Sequence, residues 1–201
     1  MSEKNTREQI FETAVCLFAQ RGYHGTSMRE IARAVGIKES SIYNHFNGKS
    51  SIMQAILDFQ LKTFKNLFIP VEDVERFADQ FDDPVSFWLA GVQQIESNLP
   101  PLTETIEGIL HNEIFLDEQC RKFVLVHLFT SQKKLCRMLL ELLNRRNLIR
   151  DHDFECVAEQ YVSMVHGMRI EGRLQKLEGV APSEIQKRIL SRIAGFIELL
   201  R

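Results

Sequence analysis

Between Ser27 and Phe46 the chain gathers six hydrogen-bonding side chains on one short stretch: Lys38, Ser40, Ser41, Tyr43, Asn44 and His45. Ile42 and Phe46, four residues apart, supply its apolar side. Asparagine can pair bidentately with adenine, serine can meet either base type, and tyrosine or histidine can hold a phosphate or a thymine methyl. Thr26 or Ser27 at one helix start, and Lys49 at another, can set backbone donors and a cation beside phosphates. The chemistry on offer is recognition of duplex DNA. On the residues alone, an ordinary helical corner with a solvated polar face explains the pattern about equally well.

Bond-making chemistry has far less to stand on. Gly48-Lys49-Ser50 resembles the end of a phosphate-binding loop, but that loop needs a glycine where Tyr43 stands and a strand before it. No His-Glu-x-x-His occurs, and His111 and Glu113, two apart, point to different sides of a helix. Cys120, Cys136 and Cys156 with His127 or His166 meet no metal-ligand spacing. No catalytic residue, metal or cofactor is therefore expected.

The elements that carry the polar stretch follow from spacing. Ile10, Ala14, Leu17 and Phe18 mark an amphipathic helix that Gly22 ends. Ser27 with Glu30 makes a capping box for a second helix bearing Met28, Ile31, Ala32 and Val35, which Gly36 stops. A third, short helix carries Ile42 and Phe46 up to Asn47-Gly48. Two short helices joined by a tight glycine turn form a helix-turn-helix, whose second helix enters the major groove. A longer helix follows from Lys49-Ser50 to Pro70, with Met53, Leu57, Leu61, Phe64 and Phe68 as its stripe.

Beyond Pro70, residues 71–83 read as a loop or short helix, and helices are expected over 84–98, 102–112, 117–146, 154–178 and 182–200. Nothing alternates as a strand would. The fold class expected is all-α with about nine helices: a three-helix helix-turn-helix domain over 1–49, then a helical domain over 50–201 that begins with a connecting helix at 50–68.

The 201 residues carry a net charge of −2, which argues against a nucleic-acid partner until it is divided along the chain. Residues 21–50 hold five basic and two acidic side chains, while residues 51–201 hold 18 basic and 22 acidic. Such asymmetry fits a basic reading segment on a more acidic body. No apolar run spans a membrane, Met1 to Arg7 shows no signal peptide, and the four cysteines show no Cys-x-x-Cys pair. A cytoplasmic chain with reduced thiols is expected.

From Ile10 to Lys49 the chain resembles the DNA-binding domain of TetR-type (tetracycline-repressor-like) transcriptional regulators. The resemblance is carried by Ala14, Phe18, Gly22, Tyr23, Thr26, Ile31, Ala32, Ala34, Gly36, Ile42, Tyr43, Phe46, Lys49 and, just beyond, Ile52. The chain departs from the family where members often have a small Ser/Thr and then a Gly: here stand Lys38 and Ser40.

The resemblance implies a homodimeric repressor on a palindromic operator, released by a small, largely apolar or aromatic effector. It implies phosphate contacts at Thr26, Tyr43, His45 and Lys49, and base contacts at Ser41, Asn44 and again Tyr43, with Ser27, Lys38 and Ser40 beside them. It also implies that the effector moves the helix around 50–68 and spreads the two reading heads. For the effector, the apolar candidates are Phe64, Phe87, Trp88, Phe115, Phe123, Phe129, Tyr161 and Met164, with His111, His127 and His166 as polar anchors. Taken singly, each is more often a core residue.

The last two long helices are the expected dimer surface. Ile185, Ile189, Ile193, Phe196 and Leu200 form one stripe, Leu190, Ala194 and Ile197 another, and Gly167, Gly172 and Gly195 allow close approach. A wide apolar face also marks a merely buried helix. The alternative is a helical small-molecule or metal-binding protein whose helix-turn-helix is only structural.

Overall fold

A computed structural model of the chain describes residues 5–201. Among the described residues every regular element is a helix, as the spacing predicts. In chain order they are α1 (Thr6–Arg21), α2 (Met28–Val35), α3 (Glu39–Ile42), α4 (Lys49–Leu67), α5 (Val71–Ala78), α6 (Pro84–Ser97), α7 (Leu102–Glu113), α8 (Glu118–Phe123), a π-helical stretch (Val124–Thr130), α9 (Ser131–Arg145), α10 (Phe154–Leu177) and α11 (Pro182–Glu198). None is long and apolar enough to cross a membrane.

Packing gathers these elements into two compact units. One holds the chain up to Leu67 together with Leu99–Leu125; the other holds Phe68–Asn98 and Val126–Arg201. The expected domain boundary lies between residues 49 and 50. Packing keeps α4 with the helix-turn-helix and adds α7 and α8 to it, because α1 lies against both α4 and α7.

The first unit is built on Ile10, Ala14, Val15 and Phe18 of α1, Ile31 of α2, Ile42 of α3, and Ile106, Ile109 and Leu110 of α7, all buried. Removing each large side chain from water contributes about 1.5–3 kcal/mol. α4 buries Ile52, Met53, Ile56, Leu57, Gln60, Thr63, Phe64 and Leu67. That face is broader than the expected stripe, which placed Leu61 and Phe68 inside; both are only part-buried. The reason is that α1, α7 and α8 all pack on α4.

In the second unit, Trp88 of α6 meets Tyr161 of α10 edge-on, with ring centroids 5.1 Å apart. Tyr161 in turn lies 5.8 Å from Phe196 of α11. Gly172 is what lets α10 and α11 approach: a Cβ there would stand 2.8 Å from Ile185 Cγ2. At Gly167 and Gly195 a Cβ would meet nothing of this chain within 4 Å, so neither sets an approach within it.

Of the two alternatives for residues 71–83, loop or short helix, the structure shows the helix, α5, whose Val74 and Ala78 are buried. One expectation is corrected. The run 117–146 is not one α-helix, since its middle turns widen into a π-helix. There the Leu128 carbonyl meets His166 Nε2 at 2.9 Å, and the Val126 carbonyl accepts from Ser131 Oγ at 2.9 Å. Side chains thus supply partners where the regular ladder is displaced.

Candidate nucleic-acid interface and polar core

The helix-turn-helix is set up by local chemistry. Ser27 caps α2 in the expected box: its Oγ accepts from the Glu30 N–H at 3.2 Å, and its own N–H donates to Glu30 Oε2 at 2.8 Å. The Ser27 N–H and the Ser27 hydroxyl, which donates to Glu30 Oε2 at 2.8 Å, then Arg21 and Arg33, hold the Glu30 carboxyl below its ordinary range. Gly36, at φ +81°, ends α2 in the left-handed conformation that glycine adopts without strain. The Ile37 N–H then closes on the Ala32 carbonyl at 3.0 Å.

α3 is one α-helical turn. The path continues through Asn44 N–H to Ser41 O and His45 N–H to Ile42 O, which keeps Ile42 and Phe46 buried on one side. Lys38 stands at the start of α3 and makes no side-chain cap, leaving its ammonium in solvent. Ser40, Asn44 and Tyr43 are exposed, Tyr43 by 48%, while Ser41 and His45 are half-buried. The six polar residues therefore share a segment whose apolar side is spent on the core.

Two of the expected phosphate contacts have other work in this structure. Thr26 is only 2% exposed, and its hydroxyl donates to the Gly22 carbonyl at 3.0 Å. It locks the turn from within and leaves no side-chain donor for phosphate. Lys49 Nζ donates to the Tyr23 carbonyl at 2.6 Å and lies 4.5 Å from the centre of the Tyr23 ring. That fixes the cation at the start of α4 with further N–H donors to offer.

The turn Gly22–Thr26 is held tightly. Gly25 admits no side chain, because a Cβ would stand 2.3 Å from the Arg21 carbonyl oxygen. The Tyr23 N–H donates to Glu113 Oε1, on α7, at 3.0 Å. No sequence signal pointed to Glu113, since its partner is 90 residues away.

The expected effector residues fall into two sets. Phe64, His111, Phe115 and Phe123 belong to the first unit; Phe87, Trp88, His127, Phe129, Tyr161 and Met164 belong to the second. Phe64 and Phe123 stack with centroids 6.4 Å apart. His111 Nδ1 sits 2.7 Å from the Glu107 carbonyl. Phe115 is 84% exposed. Phe87 and Trp88 are core, Phe129 lies 4.6 Å from the His166 ring, and Met164 packs beside that core. His127 is half-buried on the π-helical stretch.

Sequence reasoning passed over Gln60 and Thr103. Gln60 is wholly buried with neither amide atom partnered, and Thr103 Oγ1 is buried without a partner too. α4 and α7 pack together, and their ends share Tyr23 through Lys49 and Glu113. Gln60 lies eleven residues along α4 from Lys49, and Thr103 ten residues along α7 from Glu113. Buried polar atoms without a partner in the protein are uncommon and call for an explanation.

Among the described residues no three His, Cys, Asp or Glu side chains gather as a metal site. Burial, then the Asp117 carboxylate, pushes the Cys120 thiol up to about 12, and burial alone pushes Cys136 to about 12. Neither is a ready nucleophile.

Residues 10–56 match the family model described as bacterial regulatory proteins, tetR family, as the resemblance implied. The transcriptional regulator TtgR of Pseudomonas putida is 32% identical over 120 residues, covering 58% of this chain and 55% of that protein. The chain thus spans about half the length of the curated relatives it matches. A TetR-family regulator from Cytophaga hutchinsonii shares the fold with a TM-score of 0.70 at 17% identity, over 100% of this chain and 98% of that one. A transcriptional regulator from Saccharomonospora viridis, solved with choline, gives 0.66 at 20% identity over 96% and 95%.

Proposed function

We propose that this chain, whose residues 10–56 carry the regulatory module of the tetR family, is a ligand-responsive transcriptional repressor that binds a palindromic operator as a homodimer. The observation that carries the reading is the segment 38–45, polar and largely exposed, on an apolar side buried by Ile42 and Phe46. Tyr43, His45 and Lys49 hold phosphates; Ser41 and Asn44 read base edges, with Ser27, Lys38 and Ser40 at the rim. Its site of action is the cytoplasm, where such DNA lies.

The dimer forms through α10 and α11. Along α10, Cys156, Gln160, Ser163, Gly167, Ile170, Leu174 and Leu177 are all exposed. Their alternating spacing of four and three places them on one seam, as in paired helices. Isologous contact through that seam gives the two-fold symmetry a palindrome requires.

The effector has a largely apolar or aromatic body and a group that both donates and accepts hydrogen bonds, met by Gln60 and Thr103. It acts by binding one conformational state of the protein better than the other.

Filter binding of the full chain to the duplex upstream of its own gene, across a salt series, tests the reading. Affinity is expected to fall steeply with salt as phosphate counterions return. No sequence-preferring complex at low salt would end the proposal. Within it, Tyr43→Ala and Lys49→Ala weaken every sequence alike, whereas Asn44→Ala relaxes preference at particular bases by about 1–3 kcal/mol. Uniform loss from Asn44→Ala removes that residue from base reading.

A further inference from the structure

We propose that Glu113 is a positioning residue for DNA reading: its carboxylate, at the end of α7, ties the α1–α2 turn, so that the placement of α7 sets how well the reading head fits its target. The inference rests on the DNA-binding reading above and adds a residue outside the family-matched segment 10–56.

The tie has three parts. Tyr23 is gripped on both backbone sides, its N–H by Glu113 Oε1 at 3.0 Å and its carbonyl by Lys49 Nζ at 2.6 Å. The Tyr23 ring is fixed as well, edge-on to Phe18 with centroids 5.2 Å apart and under the Lys49 cation. And the turn itself has little freedom, with Gly22 at φ +76°, no room for a Cβ at Gly25 and the Thr26 hydroxyl bonded inward. A displacement of Glu113 is therefore passed on to Ser27 and α2 on one side, and to Lys49 and α4 on the other.

Glu113 is also not the residue that simple packing would select. It is 3% exposed, and its second oxygen has no hydrogen-bond partner; His24 Nε2 lies 3.7 Å from it. A buried carboxylate with half its bonding capacity unmet is costly to keep. A tie of that kind holds the turn and can still be released, which suits a coupling between a body helix and a reading head.

The test compares full-length wild type, Glu113→Ala and Glu113→Gln for affinity to the upstream duplex and for hydrogen exchange of the Tyr23 amide. Glu113→Ala is expected to lose about tenfold in affinity and to speed Tyr23 exchange by about tenfold or more, the effect of losing one charged acceptor. Glu113→Gln keeps an acceptor for the Tyr23 N–H and is expected to restore both to near wild type. If Glu113→Ala does not fold, Glu113→Asp, one methylene too short, carries the same expectation. Unchanged affinity in Glu113→Ala overturns the inference. So does a Glu113→Gln protein that protects Tyr23 but still binds weakly. A wild-type chain that binds no duplex at all sinks the regulator reading first, and the inference with it.

Discussion

Glu30 and Gln60 show how a single side chain sets a measurable response. The folded carboxyl of Glu30 titrates below its ordinary range because the Ser27 N–H and hydroxyl donate to it. A depressed carboxyl contributes above its unfolded value and stops contributing as pH falls through the folded value. The α2 cap is thus expected to open on acidification below the ordinary carboxylate range, read as faster exchange of the Ser27 and Glu30 amides. Glu30→Gln should show a flatter acid limb, and an equal one would remove Glu30 from the cap. Gln60 works the other way. Replacing its unpartnered amide with leucine spares a buried polar group, and Gln60→Leu is expected to gain about 1–2 kcal/mol in denaturant unfolding. A loss instead would mean that the amide already has an occupant in the free protein.

At the scale of elements, Gly172 is the sharpest constraint on how α10 meets α11. Gly172→Ala pushes a Cβ into Ile185 Cγ2, and about 1–3 kcal/mol of destabilisation is expected in thermal unfolding. Ile185→Ala, which removes Cγ2, should return part of it. Much at this scale is legible in the sequence. Ser27 and Glu30, Gly22 and Gly36 announce the helix-turn-helix because caps and left-handed turns depend on neighbours a few residues apart. The parts that were not legible depend on distant partners. The inward turn of Thr26 draws on the carbonyl of Leu17, nine residues back, as well as on that of Gly22. The width of α4's buried face needs three covering helices. The π-helical turns draw on His166, 38 residues from the carbonyl it meets. The role of Glu113 becomes visible only once α7 lies beside α1 and brings it to Tyr23.

For the whole molecule, assembly and DNA binding are expected to fail together. Leu174→Glu places a charge on the exposed seam of α10, far along the chain from the polar segment 38–45. Sedimentation should show it monomeric, and its operator affinity should fall, because one half-site supplies only part of the interface. A monomeric variant with undiminished affinity would detach the seam from function. The partition of the chain has a different implication. Leu99–Leu125 returns to the unit that holds the helix-turn-helix, so the backbone passes between the two units at three places. A family module taken as residues 10–56 would be cut away from α7 and α8, which cover α1 and α4 and bring Glu113 to Tyr23. Grafting this reading head onto another regulator by a single splice would therefore transplant its recognition surface without its foundation. A working chimera would have to inherit two separate stretches of sequence, and recombination at one point would not deliver both.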